Sequence, residues 1–181
     1  MRVIAGRLGG RRLKAPRGQR TRPTSERVRE ALFSLLGPVE GLVALDLFAG
    51  SGALAIEALS RGAGRAVLVE RDPGALAVLR ANLEALELGR EVAEIRRMEA
   101  RAALRSARAA GETYDLVFLD PPYRSPPALG RALSEVLPAV LSGAGRVICE
   151  SDRRAPLELA LPRADERRYG DTLITIHTTT P

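Results

Sequence analysis

Apolar residues recur at two different spacings along the chain, and the spacing changes near residue 40. Before that point, apolar positions between 28 and 36 follow the 3.6-residue period of one helix face. Thr24 or Ser25 is the predicted cap of this helix, and Gly37-Pro38 ends it. Upstream, two weakly alternating segments flank Gly9-Gly10, which predicts a hairpin over residues 2–13.

After Gly41, short unbroken apolar runs alternate with helical segments. The closing segments, 166–169 and 173–176, flank Gly170-Asp171 and predict a second hairpin. The other predicted strands are 42–48, 66–69, 92–95, 116–119 and 147–149. The predicted helices are 53–61, a helix capped by Asp72-Pro73 and ended by Gly89, 99–110, and 129–141 with Pro138 kinking or ending it.

This alternation defines the predicted fold class. Strands that read as continuous apolar runs are buried on both faces, as in parallel sheets. Strands that alternate with helices indicate helices on both sides of such a sheet. We therefore expect an α/β, Rossmann-like fold with a doubly wound, mostly parallel seven-stranded sheet. Residues 1–40 form a hairpin-helix extension in this division, and residues 41–181 form the main domain.

Charge is distributed unevenly. The chain carries a formal net charge of +6, whereas residues 1–22 alone hold eight basic residues and no acid, so residues 23–181 carry −2. A basic segment on a nearly neutral body favours contact with a polyanion, here through Arg7, Arg11 and Arg12. A solvated tail is the alternative interpretation.

The composition also excludes several classes of protein. Cys149 is the only cysteine and His177 the only histidine, which argues against a disulfide, a zinc site and a Ser-His-Asp triad. We expect Cys149 in the core, His177 exposed, and no metal. No apolar run is long enough to span a membrane and no secretory signal is visible. With a single cysteine, a reducing cytoplasm is the simplest expected location, and a monomer is the default expectation.

A glycine-containing turn joins the first strand to the next helix. Gly50 and Gly52 allow a tight turn and close approach of a ligand, and a helix begins directly after them. Glu70 ends the second strand, where an acid accepts hydrogen bonds from ribose hydroxyls in doubly wound sheets. Together they predict a nucleoside-like cofactor. The predicted cofactor-binding residues are Asp46, Phe48, Ala49, Gly50, Ser51, Gly52, Glu70, Arg71 and Asp120.

Asp46 helps to choose between cofactors. A carboxylate before the glycines repels a pyrophosphate and attracts the cationic sulfonium and amino groups of S-adenosylmethionine. The dinucleotide fingerprint needs a third glycine where this chain has Ala55. S-adenosylmethionine is therefore favoured over NAD, and an NAD-dependent oxidoreductase is the weaker alternative.

The fourth strand ends in Asp120-Pro121-Pro122-Tyr123, the predicted catalytic residues. An exocyclic amine of a base is a poor nucleophile that needs hydrogen-bond acceptors and precise aim. Asp120 and the Pro121 carbonyl supply two acceptors, prolines hold them rigidly, and Tyr123 stacks on the base. Because a carboxylate only accepts hydrogen bonds, it suits the adjacent N1–H and N2–H₂ donors of guanine better than adenine.

These motifs resemble those of class I methyltransferases that act on exocyclic amines. The string Arg22-Pro23-Thr24 with Arg27-Val28-Arg29-Glu30, and Ile4-Ala5-Gly6 upstream, resembles the bacterial small-subunit ribosomal RNA methyltransferase D family. The resemblance implies methylation of guanine N2 in 16S rRNA, within the 30S subunit or a late assembly intermediate. It places Glu99 near the cofactor's adenine, and Arg22, Thr24 and Arg27 over the active site against RNA.

Other functions remain open at this point. An amino-methyltransferase acting on adenine N6 or on DNA shares both sheet motifs, although DNA enzymes usually carry a recognition domain. A protein-glutamine methyltransferase usually has Asn in place of Asp120. A non-catalytic RNA-binding assembly protein also explains the basic segment, but it leaves the Asp-Pro-Pro-Tyr sequence without a role.

Overall fold

The computed structural model describes residues 1–16, 25–122 and 128–179. Seven strands form one sheet in the order β3-β2-β1-β4-β5-β7-β6. The strands are β1 (Val43–Asp46), β2 (Arg65–Val69), β3 (Ala93–Arg96), β4 (Tyr114–Leu119), β5 (Leu141–Asp152), β6 (Arg163–Tyr169) and β7 (Thr172–Thr178). The helices are α1 (Glu26–Leu36), α2 (Ala53–Ser60), α3 (Pro73–Ala85), α4 (Ala100–Ala109) and α5 (Ala128–Ser134).

Strand direction confirms the predicted fold class. Strands β1 to β5 pair in parallel, and only the β7 ladders with β5 and β6 are antiparallel. The strand order reverses between β1 and β4, which is where ligands bind in doubly wound sheets. The carboxyl ends of β1 to β4 therefore share one edge, called the carboxyl edge below.

The sheet separates two hydrophobic clusters. Alternate residues of a strand point to opposite faces, so Ala44 faces one cluster and Leu45 the other. Helices α1, α2 and α3 cover the first face, and α4 and α5 cover the second. Burial on both faces explains why the strands are continuous apolar runs in the sequence.

Residues 1–16, called the arm below, pack against the first face. Val3, Leu8 and Leu13 are buried in the same cluster as Phe33 of α1 and Leu59 of α2. The predicted hairpin is reduced to a single antiparallel bridge between Arg2 and Arg12. The arm thus adds apolar side chains to the core of the sheet.

Many predicted boundaries differ from the structure by one to three residues, and three differences have a clear physical reason. Helix α3 ends at Ala85 instead of Gly89, because Glu87 takes the left-handed backbone conformation (φ 55°). Strand β5 begins at Leu141 instead of Val147, because pairing with β4 extends it through residues with no apolar pattern. The fifth helix ends at Ser134, and Pro138 lies in a separate 3₁₀ turn, Leu137–Val140.

The expected exposure of His177 is wrong, whereas Cys149 lies in the core as predicted. His177 is 2% exposed. Its ring nitrogens lie 3.1 Å from the Leu161 carbonyl and 3.0 Å from the Thr175 hydroxyl. Burial lowers the pKa of His177. The histidine is therefore a hydrogen-bonded core residue of β7 that contacts the segment before β6.

Candidate active site

The carboxyl edge brings the two predicted motifs together. The Leu47 N–H donates to the Phe118 carbonyl at 3.1 Å, which joins the end of β1 to the end of β4. The Ala49 N–H donates to the Val69 carbonyl at 3.0 Å and so joins the turn after β1 to β2. The glycine turn, Glu70 and the Asp120 sequence therefore open on the same side of the molecule.

The glycine turn has the backbone geometry that its sequence predicts. Gly50 and Gly52 have φ values of 52° and 84°, in the region where a side chain is strained. Gly52 caps α2 without any side-chain hydrogen bond to the first turn of the helix. A Cβ added at Gly50 meets only the Phe48 carbonyl, at 3.9 Å, so this side of the turn is open. The turn therefore leaves room for a ligand close to its backbone.

Asp46 lies buried beneath this turn. It is 2% exposed, and it accepts hydrogen bonds from the Phe48 N–H at 3.2 Å and from the Ala55 N–H. Burial raises the pKa of Asp46 to about 7, and the nearby Glu70 carboxylate adds to this effect. A cationic group bound beside Asp46 would favour its ionised form.

Glu70 connects the turn to the end of β2. One carboxylate oxygen accepts the Gly50 N–H at 2.9 Å, and the other accepts the Arg71 and Asp72 N–H groups, both at 2.8 Å. Asp72 caps α3 by accepting the Ala75 N–H, as predicted. A carboxylate offers about four acceptor positions, so Glu70 has capacity for a further donor.

Glu99 lies at the end of the next strand along the same edge. It occupies the N-cap position of α4, but its side chain makes no hydrogen bond to the first turn of that helix. The side chain instead forms an ion pair with Arg71 at 2.8 Å. Both side chains are mostly exposed, at 63% for Glu99 and 66% for Arg71. The structure thus brings together two of the predicted cofactor-binding residues outside the turn.

The predicted catalytic sequence begins at the end of β4. Asp120 and Pro121 are half-buried, and Pro122 is exposed. Tyr123 lies outside the described residues, as do Arg22 and Thr24. Asp120 and Pro121 lie at the carboxyl edge because they come directly after β4, whose last four residues are buried in the sheet.

Sequence reasoning missed one acid at this edge. Glu150 is 6% exposed and follows Cys149, which pairs with Leu119 just before Asp120. It lies close enough to Arg29 of α1 to affect the pKa of that guanidinium. The signal was a single acid after the apolar run 147–149, the same pattern that identified Glu70 after Val69.

The predicted RNA-binding arginines lie on the arm and on α1. Arg7, Arg11, Arg12 and Arg27 are exposed. The Arg11 guanidinium donates to the Ala85 carbonyl at 2.6 Å, while Arg27 lines a cleft of about 360 Å³ beside the arm. These four residues keep cationic groups at the protein surface.

Buried polar residues of α2 hold the arm in place. Glu57 of α2 accepts the Ile4 N–H at 2.8 Å and the Ala5 N–H at 3.1 Å. Ser60 bonds to the Ala5 carbonyl and the Leu8 N–H, and the Gly6 backbone lies so close to Ser60 that a Cβ would clash. Sequence reasoning missed Glu57, although it is the one charged residue in an apolar helix.

No helix among the described residues is long and apolar enough to cross a membrane. Within the same residues, no group of three or more His, Cys, Asp or Glu side chains is arranged to hold a metal ion.

Comparison with known proteins shows which structural class and which family the chain belongs to. The structure resembles "Putative methyltransferase yhhF from Escherichia coli", with a TM-score of 0.83, 33% identity, and coverage of 98% of this chain and 96% of that one. The fold is thus that of class I methyltransferases. Residues 1–178 match the family model described as "Conserved hypothetical protein 95", and the chain belongs to this family.

Two curated relatives carry ribosomal RNA methyltransferase names. "Putative rRNA methyltransferase YlbH" of Bacillus subtilis is 40% identical over 185 residues, covering 98% of each chain. "Ribosomal RNA small subunit methyltransferase D" of Escherichia coli is 42% identical over 125 residues, or 68% of this chain and 61% of that protein. The resemblance stated from the motifs is therefore confirmed.

Proposed function

We propose that the protein transfers a methyl group from S-adenosylmethionine to N2 of a guanine in 16S rRNA. The observation that carries the proposal is the shared carboxyl edge, where a buried acid and a glycine turn lie beside the Asp120-Pro121 backbone. The names of the relatives support an rRNA substrate. The choice of guanine N2 rests on the chemistry of Asp120.

The residues of the edge fit S-adenosylmethionine. This cofactor supplies a methyl group on a cationic sulfonium, with a ribose and an adenine attached. Asp46 offers negative charge beneath the turn, and Glu70 offers an acceptor for ribose hydroxyls. Gly50 lets the backbone approach the ligand, and Glu99 and Arg71 lie where the adenine is expected.

The other part of the edge fits an exocyclic amine. Asp120 and the Pro121 carbonyl accept the N–H bonds of the amine and direct its lone pair at the methyl carbon. Pro121 and Pro122 restrict the backbone so that these acceptors keep their aim, and Tyr123 stacks on the base. When S-adenosylmethionine is bound, the new N–C bond would form as the C–S bond breaks, the sulfur would keep the electron pair as a neutral thioether, and the proton of the methylated amine would pass to water.

The arm and α1 fit the phosphate backbone of RNA. Arg7, Arg11, Arg12 and Arg27 are the described members of this surface. Arg22 and Thr24 extend the same segment toward the active site in this proposal. Residues 1–40 then provide RNA contacts and residues 41–181 catalysis. The substrate is a 30S subunit or late assembly intermediate, bound by a cytoplasmic monomer.

The decisive experiment maps the product. Purified protein, S-adenosylmethionine and 30S subunits from cells lacking this activity should yield N2-methylguanine at one position of 16S rRNA. Asp120→Ala should lower the rate at least 100-fold, whereas Asp171→Ala, an exposed change in the β6–β7 turn, should leave it unchanged.

The alternatives give different products. Methylation at adenine N6 would replace the guanine assignment while keeping the enzyme class. Subunit assembly that depends on the protein but not on Asp120, with no methyl transfer at all, would replace catalysis with an assembly role.

A further inference from the structure

Asn82 of α3 bonds to both the arm and the glycine turn. Its side-chain oxygen accepts the Lys14 N–H at 2.8 Å, and its amide nitrogen donates to the Lys14 carbonyl at 3.0 Å. The same nitrogen donates to the Ser51 carbonyl at 2.9 Å. With only 2% of its surface exposed, the side chain has its polar atoms engaged by these two segments.

The chemistry of this bridge is specific to a short amide. Lys14 offers one donor and one acceptor, and Ser51 offers a second acceptor. A carboxylate has no hydrogen to donate to two carbonyls, and a hydroxyl has only one. An apolar side chain of similar size removes the partner of three main-chain groups, of which the Ser51 carbonyl is buried.

Lys14 and Ser51 belong to parts of the molecule with different proposed ligands. Ser51 lies between Gly50 and Gly52, so its carbonyl orientation is part of the turn geometry at the cofactor site. Lys14 lies near the end of the arm, two residues before position 16, and the chain leads on from there to Ser25, the N-cap of α1. The bridge thus fixes the end of the arm relative to the cofactor turn.

We propose that Asn82 is a positioning residue that couples the cofactor site to the RNA-binding arm. The inference rests on the proposed function, since it assigns the turn to S-adenosylmethionine and the arm to RNA. A ligand that fixes the turn also fixes Asn82 and, through it, Lys14 near the end of the arm, so RNA meets a segment whose position is already set. Linkage requires the reverse effect as well: bound RNA tightens cofactor binding by the same factor.

The test is a binding cycle with S-adenosylhomocysteine and 30S subunits, each titrated with and without the other. For the unaltered protein we expect each ligand to tighten the other about 5- to 20-fold. Asn82→Leu should reduce this factor to about 1, while each ligand alone keeps its affinity within about 3-fold. In methyl-transfer assays at saturating cofactor, the KM of the variant for RNA should exceed that of the unaltered protein by the lost factor, with kcat nearly unchanged, whereas at low cofactor concentration the two KM values should be similar.

A matched control separates coupling from general loss of stability. Ser134 of α5 is another buried side chain with two hydrogen bonds, to the Gly130 carbonyl and from the Ala160 N–H, and it touches neither segment. Ser134→Ala should keep the full coupling factor. If Asn82→Leu does not fold, Asn82→Ser, which retains one donor and one acceptor, should show a reduced factor.

The outcomes that overturn the inference differ from those that overturn the function. Equal affinities with and without the second ligand in the unaltered protein, or full coupling in a folded Asn82 variant, would refute the role of Asn82 while methyl transfer continues. Absence of RNA binding or methyl transfer in the unaltered protein would refute the proposed function itself.

Discussion

Glu57 beneath the arm and Glu70 at the carboxyl edge are both held by main-chain N–H groups, but they differ in access. Glu57 is fully buried, and Ile4, Ala5 and Arg61 share its carboxylate. Glu70 is half-buried and has a side open to the edge. Acids with the same kind of backbone partner thus serve different purposes: one fixes a segment of the protein, and the other remains accessible to a ligand.

Gly6 of the arm and Gly50 of the turn differ in the same way. Gly6 is required because the arm approaches α2 closely: an added Cβ lies 1.8 Å from the Ser60 carbonyl oxygen. Gly50 needs its positive φ but faces almost open space. The arm is therefore a packed part of the fold, whereas the turn at the carboxyl edge leaves space beside its backbone. The predictions below test this difference.

The largest effect is expected from Glu57→Ala. This change removes the acceptor of two arm N–H groups and the carboxylate that forms the ion pair with the fully buried Arg29, whose Nε lies 3.8 Å from Glu57. Loss of one member of a buried ion pair costs about 3–5 kcal/mol of unfolding free energy. The difference in unfolding free energy between the variant and the unaltered protein can be measured by urea unfolding.

Glu26→Ala is the matched control for Glu57. Glu26 also bonds to the arm, through Arg2 at 2.9 Å, but both side chains are substantially exposed. Its loss should cost less than about 1 kcal/mol. Similar values for the two variants would mean that the arm contributes little to the fold.

The second prediction compares Gly6→Ala with Gly52→Ala. Both positions have positive φ, but at Gly6 the obstacle is backbone, and at Gly52 it is the flexible end of Leu79, 2.5 Å away. We expect Gly6→Ala to cost about 2–4 kcal/mol and to leave cofactor affinity nearly unchanged. Gly52→Ala should cost less stability and weaken S-adenosylhomocysteine binding at least tenfold. A larger loss of cofactor affinity for Gly6→Ala than for Gly52→Ala would contradict the distinction between the packed arm and the carboxyl edge.

Local patterns made much of the fold predictable. Continuous apolar runs identified the buried strands, and the caps Ser25 and Asp72 act through hydrogen bonds within three residues. The shared carboxyl edge was also predictable, because parallel strands place their ends together whatever the details of packing. Predicted element boundaries were wrong where the true boundary depends on pairing with a distant strand or on an unexpected left-handed residue such as Glu87.

The polar residues that hold the arm were not predictable in the same way. Glu57 and Asn82 bond to backbone groups 52 to 68 residues away, and no local pattern encodes such partners. The sequence did contain a weaker signal, since each is a polar residue on an otherwise buried helix face. Such a residue indicates a buried polar contact without revealing its partner.

The third prediction uses the buried acid beneath the turn. Because the pKa of Asp46 is raised to about 7, ionisation is incomplete at pH 6 and nearly complete at pH 8. A cationic ligand needs the ionised form, so S-adenosylhomocysteine, with its ammonium group, should bind about tenfold more tightly at pH 8 than at pH 6. Asp46→Asn should abolish this dependence, as calorimetric titrations at several pH values would show.

Stability should follow pH in the opposite direction. The folded pKa of Asp46 lies above its usual value of 3.8, so the folded state binds the proton more strongly than the unfolded state. The Asp46 contribution to unfolding free energy should therefore fall as pH rises from about 4 to about 7, and then level off. Binding and stability that change in the same direction would contradict an acid buried for a cationic ligand.

The smallest effect is expected at the exposed end of the edge. Glu99→Gln and Arg71→Gln both break the 2.8 Å ion pair, and each should change the unfolding free energy by less than about 1 kcal/mol because both side chains are mostly exposed. If Glu99 also accepts the adenine amine, Glu99→Gln should weaken S-adenosylhomocysteine about 2- to 5-fold more than Arg71→Gln. The inosine analogue, which lacks that amine, provides the control: it should bind the Glu99→Gln variant and the unaltered protein equally. A larger loss for the analogue than for the adenine compound would place Glu99 in contact with another part of the ligand.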